Sequence, residues 1–179
     1  MRSATLTAED WLNAGLKALA KSGVTSLKAD VLARRLEVSR GSFYWHFVDV
    51  KGFHRGVLDA WEKRATADVI AEVEQAGGSA RERLHRLARL VFAADGALER
   101  QVRSWACHSE VAAHAQNRID LQRITYVQRL VDETDGGPAS DASTRARFFY
   151  LALVGQFATG RRFALSESEL ASMVELVIG

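Results

Sequence analysis

A short run of residues, Val38–Phe47, carries the side chains most suited to binding a partner. It begins Val-Ser-Arg-Gly-Ser and ends Phe-Tyr-Trp-His-Phe, so aromatic rings crowd its second half. At helical spacing Phe43 and Phe47 share one face and can be buried together, whereas Tyr44 and Trp45 fall on the opposite side. A short helix that exposes tyrosine and tryptophan to water presents apolar area for docking. We therefore expect this helix to bind a macromolecule.

Two short helices are predicted to position these side chains. The first covers residues 28–36, and the second begins at Ser39, whose hydroxyl is suited to cap free backbone amides. Only Glu37 and Val38 lie between them. Two helices joined by a turn of three or four residues form a helix-turn-helix, and the second helix of that motif enters the major groove of DNA.

The outward side chains of the second helix suit DNA. Arg40 can bond to both acceptors of guanine or hold a phosphate, Gly41 lets the backbone approach closely, and Ser42 can bond to a base or a phosphate. The aromatic residues that follow can donate to phosphate oxygens or contact sugars and thymine methyl groups. The predicted DNA-binding residues are Lys28, Ser39, Arg40, Gly41, Ser42, Tyr44, Trp45, His46 and Lys51.

This part of the chain resembles the DNA-binding signature of TetR-type (tetracycline-repressor-like) transcriptional regulators. The residues that carry the resemblance are Leu32-Ala33, Val38-Ser39, Gly41, the run from Phe43 to Phe47 and Asp49. The resemblance is strong over residues 5–60 and architectural only beyond them. It implies a homodimer whose recognition helices occupy successive major grooves of a pseudo-palindromic operator in double-stranded DNA. It also implies a small-molecule effector that releases the DNA, so the predicted function is a ligand-responsive repressor.

Two departures from the family's pattern matter most. Glu37 stands in the turn where the family usually has glycine, and a left-handed backbone there would cost roughly 1 kcal/mol. Val50 stands where the family usually has a phosphate-binding lysine or arginine, with Lys51 next along the chain. The sequence leaves open whether Lys51 supplies that contact. Lys28, where the family often has threonine, is either a phosphate ligand or a solvated lysine.

Charge and composition fit a cytoplasmic DNA-binding protein. The net charge is only +2, but residues 1–56 hold nine Lys/Arg against five Asp/Glu, which gives a basic head on a slightly acidic body. Cys107 is the only cysteine, so no disulfide within the chain is expected. No signal peptide and no membrane-spanning stretch are predicted, and we expect no membrane association.

An all-α fold of about nine helices is predicted, because helical apolar spacing recurs along the whole chain and strand alternation does not. Residues 1–48 would form a three-helix DNA-binding domain, and residues 49–179 a helical effector-binding and dimerisation domain. A single long fourth helix, about residues 49–74, would connect them. Capping boxes are predicted at three helix starts: Thr7, Ser79 and Ser166.

The last two predicted helices follow a loop at residues 135–138 and are rich in small and apolar residues. Such a terminal pair could cap the core of its own chain or pair with a second copy. The resemblance implies the second arrangement, a four-helix dimer interface, in which Gly155 and Ala158 would let helix backbones approach closely. The predicted interface residues are Phe148, Leu151, Ala152, Gly155, Ala158, Thr159, Leu170, Met173, Val174 and Val177.

A ligand cavity in the body is also implied by the resemblance. Ligand pockets combine aromatic walls with a few polar groups. The candidates of these types are Trp61, Trp105, His108, Tyr126, Phe149 and Gln156, although each could be an ordinary core residue.

Catalytic motifs are not found in the sequence. It has no glycine-rich phosphate loop, no paired metal-ligand motif and no His-Glu-x-x-His, and we expect neither an enzyme nor a cofactor. His108 and Ser109 are adjacent, so on a helix their side chains point in different directions and cannot act as base and nucleophile. The alternative function is a helical module that uses its helix-turn-helix to dock another protein.

Overall fold

The computed structural model describes residues 6–137 and 141–179, without the side chains of Arg161 and Arg162. Every regular element in these ranges is a helix, which confirms the all-α prediction. The α-helices are α1 (Ala8–Ser22), α2 (Ala29–Arg35), α3 (Arg40–Tyr44), α4 (Val50–Glu62), α5 (Asp68–Ala76), α6 (Ala80–Phe92), α7 (Ala97–Ala106), α8 (Glu110–Thr134), α9 (Ala142–Thr159) and α10 (Glu167–Ile178). Short 3-10 helices cover Val24–Ser26 and Gly160–Phe163. The loop predicted at residues 135–138 follows α8, and Pro138 lies outside the described residues.

The three predicted capping boxes are confirmed. They pair Thr7 with Asp10, Ser79 with Glu82, and Ser166 with Glu169. In each, the hydroxyl accepts a hydrogen bond from a backbone amide of the first turn, and the carboxylate accepts one from the amide of the capping residue. These bonds satisfy two amides that would otherwise lack partners, and they hold the pKa of each carboxyl below its ordinary value.

The predicted fourth helix is present as one continuous helical stretch, but it contains a π turn. α4 passes through the π turn Lys63–Ala67 into α5, which ends at Ala76. Arg123 of α8 donates to the hydroxyl of Thr66 at 3.0 Å and to the carbonyl of Ala65 at 3.2 Å. A π turn loosens the regular hydrogen-bond ladder, so these bonds to its oxygens stabilise the interruption.

The chain falls into two compact units. Among the described residues, the first consists of 6–62 and 97–116, and the second of 63–96, 117–137 and 141–179. α7 therefore lies in the same unit as α1 to α4, although the sequence placed it with the later helices. The border predicted after residue 48 separates a DNA-binding domain from an effector-binding domain. It is a division by function and not by compactness, and it stays a prediction.

Each unit has an apolar core. In the first unit, the largest fully buried side chains include Trp11, Phe43, Phe53 and Trp61. In the second unit, apolar residues of α5, α6, α8, α9 and α10 form one buried cluster. No helix in the described ranges is long and apolar enough to cross a bilayer.

Candidate nucleic-acid interface

The turn between α2 and α3 is a Schellman motif built around Glu37. The backbone of this residue has a φ of +56°, which is the left-handed conformation. Its amide donates to the carbonyl of Arg34 at 3.4 Å, and the amide of Val38 donates to the carbonyl of Ala33 at 3.0 Å. These two bonds close the end of α2. The chain therefore adopts the left-handed turn although it has no glycine there.

α3 is held from its inner side by Phe43. This side chain is fully buried, and its ring lies edge-on to those of Trp11 and Phe53, with centroids 5.4 and 5.2 Å away. Phe47, one turn further on, is half-buried, and its ring centroid lies 4.9 Å from that of Phe53. The predicted inner face of Phe43 and Phe47 is confirmed. Aromatic pairs of this kind contribute about 0.5–1.5 kcal/mol each beyond their buried area, so the cluster fixes α3 against α1 and α4.

The regular part of α3 is shorter than predicted. It ends at Tyr44, and Trp45 and His46 lie in the turn that follows. Ser39 occupies the N-cap position, but its hydroxyl makes no capping hydrogen bond, so its predicted side-chain capping role is wrong. Its backbone carbonyl instead closes the first turn by accepting the amide of Ser42 at 3.0 Å.

The outer face of this segment is exposed, as predicted. Trp45 is 88% exposed and Tyr44 is 44% exposed, and the exposed residues Arg40 and Gly41 precede them. The other two predicted residues of the segment, Ser42 and His46, are half-buried. Large aromatic side chains are usually well buried, so the exposure of Trp45 makes this face a candidate docking surface.

Arg40 and Tyr44 lie one turn apart and contact each other. Arg40 Nη2 donates to the Tyr44 hydroxyl at 3.1 Å, and the guanidinium carbon lies 5.7 Å from the centre of the tyrosine ring. The hydrogen bond raises the pKa of Arg40 above its ordinary value. The charged guanidinium is therefore oriented on the exposed face before any partner binds.

Val48 is a surface residue that the sequence did not reveal. Its side chain is 97% exposed, and it follows the exposed Trp45 by three residues. It lies between α3 and α4, so no helical periodicity assigns it to an inner or an outer face. With Trp45 it adds apolar area to the predicted docking surface.

Gly41 leaves space that the fold itself does not need. A Cβ atom there would meet only the hydroxyl oxygen of Ser39, at 3.6 Å. At Gly15 of α1, by contrast, a Cβ atom would lie 2.8 Å from the ring of Phe53. The packing of α1 on α4 therefore requires Gly15, whereas the packing of α3 places no such requirement on Gly41.

Two predicted phosphate ligands lie at helix starts. Lys28 is exposed at the N-cap of α2, and Lys51 is exposed in the first turn of α4. Asp49 caps α4, because its Oδ1 accepts the amide of Gly52 at 2.6 Å. Val50 is half-buried. The partial positive charge of a helix N-terminus favours phosphate, and it adds to the charge of each lysine.

The predicted ligand-binding residues are divided between the two units. The first unit holds Trp61, Trp105 and His108, and the second holds Tyr126, Phe149 and Gln156. His108 is exposed, and the other five are buried. The hydroxyl of Tyr126 donates to Glu74 at 2.7 Å, and burial together with this bond raises the pKa of the tyrosine. Within each unit, the buried side chains are therefore part of the packing.

An open groove of about 270 Å³ lies in the second unit. Of the predicted ligand-binding residues, its lining includes Gln156. The groove has apolar walls and a few polar groups, and it is lined by Phe92, Ala152, Gly155, Gln156, Thr159, Phe163 and Leu165.

The predicted dimer residues divide between surface and core. On α9 they form an exposed stripe of Phe148, Leu151, Ala152, Gly155, Ala158 and Thr159. On α10 the prediction needs correction, because Leu170, Val174 and Val177 are buried in the core of their own unit and Met173 packs against it. α10 turns this apolar side inward to cover the cluster. Leu176, on its other side, is 81% exposed.

Comparison with known proteins gives matches by structure but not by sequence. No protein-family model and no curated protein matches the chain. Among solved structures, NemR of E. coli in its reduced form has a TM-score of 0.78 and 17% identity, with 95% of each chain covered. A transcriptional regulator from Saccharomonospora viridis, solved in complex with choline, has a TM-score of 0.76 and 20% identity, with 96% of this chain and 94% of that chain covered.

A TetR transcription regulator from Haloarcula marismortui has a TM-score of 0.75 and 17% identity, with 95% of this chain and 93% of that chain covered. At such identities the likeness is one of fold. The resemblance seen in the helix-turn-helix residues is confirmed to that extent: the chain has the fold of TetR-type transcriptional regulators.

Proposed function

We propose that this protein is a TetR-type regulator of transcription that binds an operator in double-stranded DNA through α3 and the turn after it. The observation that carries the proposal is the construction of this segment. Phe43 fixes it from the inside, while Arg40, Tyr44 and Trp45 are exposed on the outside. A guanidinium and aromatic rings on a narrow helix suit a groove that offers phosphates, base edges and methyl groups.

The exposed residues would divide the work on DNA between them. Arg40, oriented by Tyr44, is suited to the two acceptors of guanine, and Ser42 to a base edge. The phosphate contacts fall to Tyr44, His46, Lys28 and Lys51, which set the position of the protein but carry no sequence information directly. Trp45 and Val48 would contact sugars or thymine methyl groups.

A homodimer would allow the protein to bind a pseudo-palindromic operator, and we place its contact on the exposed stripe of α9. Phe148 is 67% exposed and Leu151 is 63% exposed, which is costly for a surface that meets only water. A Cβ atom at Gly155 would meet nothing within 4 Å, so the subunit's own fold does not require glycine there. A close contact between α9 and the same helix of a second copy would require a glycine there. The two recognition helices would lie about 34 Å apart, one turn of DNA.

A small-molecule effector would release the DNA, which makes the protein a repressor. The groove beside α9 is the candidate site in the second unit, because its apolar walls carry the amide of Gln156 and the hydroxyl of Thr159. Ala152, Gly155 and Thr159 belong both to this groove and to the dimer stripe, so the second copy would cover part of the groove. The S. viridis regulator, of the same fold, was solved with choline, which supports a ligand role for this kind of body. Coupling between effector and operator is typically 1–3 kcal/mol.

A protein-docking role is the second candidate, favoured by the exposure of Trp45 and Val48. Tryptophan is enriched at protein interfaces. The neighbouring cations Lys28, Arg40 and Lys51 favour DNA instead, because phosphate contacts supply nearly all of the non-specific affinity of DNA-binding proteins and a large share of the specific affinity.

Selection of duplexes from a random pool tests the proposal. The unmodified protein should enrich a palindromic sequence. Arg40→Ala should weaken binding to that duplex about tenfold to a hundredfold and relax the base preference at one position per half-site. Lys51→Ala should weaken selected and scrambled duplexes alike and lower the salt slope by about one. A folded protein that enriches no duplex and shows no salt-dependent DNA binding would rule out the regulator and favour protein docking.

A further inference from the structure

His54 of α4 joins three elements of the first unit. Its Nε2 atom lies 3.1 Å from the backbone carbonyl oxygen of Leu27. When the ring is protonated at Nε2, this N–H can donate a hydrogen bond to that oxygen. Its ring lies edge-on to Trp105 of α7, with 5.1 Å between ring centroids and planes at 82°. The tryptophan restricts the orientation of the imidazole, and the imidazole in turn holds the carbonyl.

The carbonyl that His54 holds lies at the entry to the helix-turn-helix. Leu27 is fully buried, and the next residue, Lys28, is the N-cap of α2. The first bond inside α2 runs from the amide of Leu32 to the carbonyl of Lys28 at 3.0 Å, so the carbonyl of Leu27 lies one residue before the helical ladder. A hydrogen bond there ties the start of α2 directly to α4.

We propose that His54 is a positioning residue for DNA binding, which fixes the start of α2 so that Lys28 contacts a phosphate from a constant position. This inference rests on the proposed function. The lysine side chain is long and mobile, so the reach of its ammonium group depends on where its backbone is anchored. His54 itself touches no DNA and acts only through the backbone of residues 27 and 28.

A merely structural His54 would stabilise the fold without affecting how many phosphates are neutralised. The salt slope of DNA binding separates these roles, because it falls by about one unit for each phosphate that the protein no longer neutralises. His54→Phe keeps an aromatic ring against Trp105 but removes the donor. His54→Gln keeps an N–H donor at a similar distance from the backbone. His114→Phe makes the same substitution at a histidine of α8 and serves as the matched control.

The experiment is a titration of the full-length variants on the selected duplex over a range of salt concentrations, with a thermal melt of each variant. We expect His54→Phe to lower the salt slope by about one unit, as Lys28→Ala does, and to weaken binding several-fold. His54→Gln should restore the slope, and His114→Phe should not change it. The double variant His54→Phe with Lys28→Ala should have the same slope as Lys28→Ala alone, because both changes remove the same phosphate interaction.

Three results would overturn the inference. One is an unchanged slope in His54→Phe, and another is a double variant whose slope falls by two units. The third uses the unmodified protein and so does not depend on any variant folding: nitrogen chemical shifts of the His54 ring that show Nε2 without a proton, since such a ring cannot donate to a carbonyl. If the unmodified protein binds no DNA at all, both the proposed function and this role of His54 are wrong. If it binds DNA normally and His54→Phe leaves the salt slope unchanged, only this role of His54 is wrong.

Discussion

Replacement of Glu37 by glycine tests whether the turn of the helix-turn-helix is strained. Glu37 is exposed and its φ of +56° is the one positive value at a non-glycine residue in the described ranges. The two backbone bonds that close α2 depend on this conformation and not on the side chain, since they join Glu37 to Arg34 and Val38 to Ala33. Glutamate therefore carries a steric cost that glycine does not.

The magnitude follows from two opposing terms. A left-handed conformation costs an L-residue roughly 1–2 kcal/mol. Replacement by glycine removes this cost, but it also gives the unfolded chain more conformational freedom, which destabilises the folded state by about 0.4–1 kcal/mol. We expect Glu37→Gly to stabilise the protein by about 0.5–1 kcal/mol, which for a chain of this size raises Tm by about 1–4 °C.

Thermal melts and DNA titrations on a small set of variants check this reasoning. Glu37→Ala keeps the strain and should leave Tm nearly unchanged, and Glu37→Gln removes only the charge. All three substitutions remove a negative charge near the proposed DNA surface, so all three should bind duplexes more tightly at low salt. Only glycine should raise Tm. An alanine variant that raises Tm as much as the glycine variant, or a glycine variant that lowers Tm, would show that the turn at Glu37 is not strained.

Three further outcomes follow from the packing and the charges. Gly15→Ala should destabilise the fold by about 1–3 kcal/mol in a thermal melt, because its Cβ would lie 2.8 Å from a buried phenylalanine ring. Gly41→Ala should instead keep or slightly raise Tm, because the alanine Cβ fits the open space in α3, and it should weaken DNA binding. Leu151→Glu should halve the mass found by sedimentation, and an unaltered dimer would place the interface elsewhere. The hydrogen bond from Tyr126 lowers the pKa of Glu74 below its ordinary value, so its contribution to stability is present above the ordinary pKa of a glutamate and is lost as pH falls through the lowered one. Acid unfolding of Glu74→Gln should therefore depend less on pH.

The features predicted correctly from the sequence are local ones. These features are the three capping boxes, the inner face of Phe43 and the exposure of Trp45, and each depends on residues that are close together in the chain. Spacing within a helix is enough to predict such features. The exposure of Val48 was not predicted, because this residue lies between two helices, where helical periodicity gives no information.

The features missed or misplaced depend on residues far apart in the chain. The π turn at Lys63–Ala67 is held by Arg123, which follows it by more than fifty residues, and its own sequence contains neither glycine nor proline. The apolar stripe of α10 has the same spacing as a dimer interface but is buried in its own unit. A stripe in the sequence shows that a helix face is covered, and only the tertiary structure shows what covers it.

The proposed DNA-binding surface cannot be separated energetically from the core beneath it. α3 has five residues, and a helix that short does not persist in water on its own. Its conformation therefore depends on Phe43, whose ring is packed against Trp11 of α1 and Phe53 of α4. A cavity made at Phe43 would cost about 3–5 kcal/mol and would release the segment that presents Arg40 and Trp45. Loss of DNA binding in a core variant could then come from unfolding of the aromatic cluster that orients α3, so each DNA measurement needs a thermal melt of the same variant beside it.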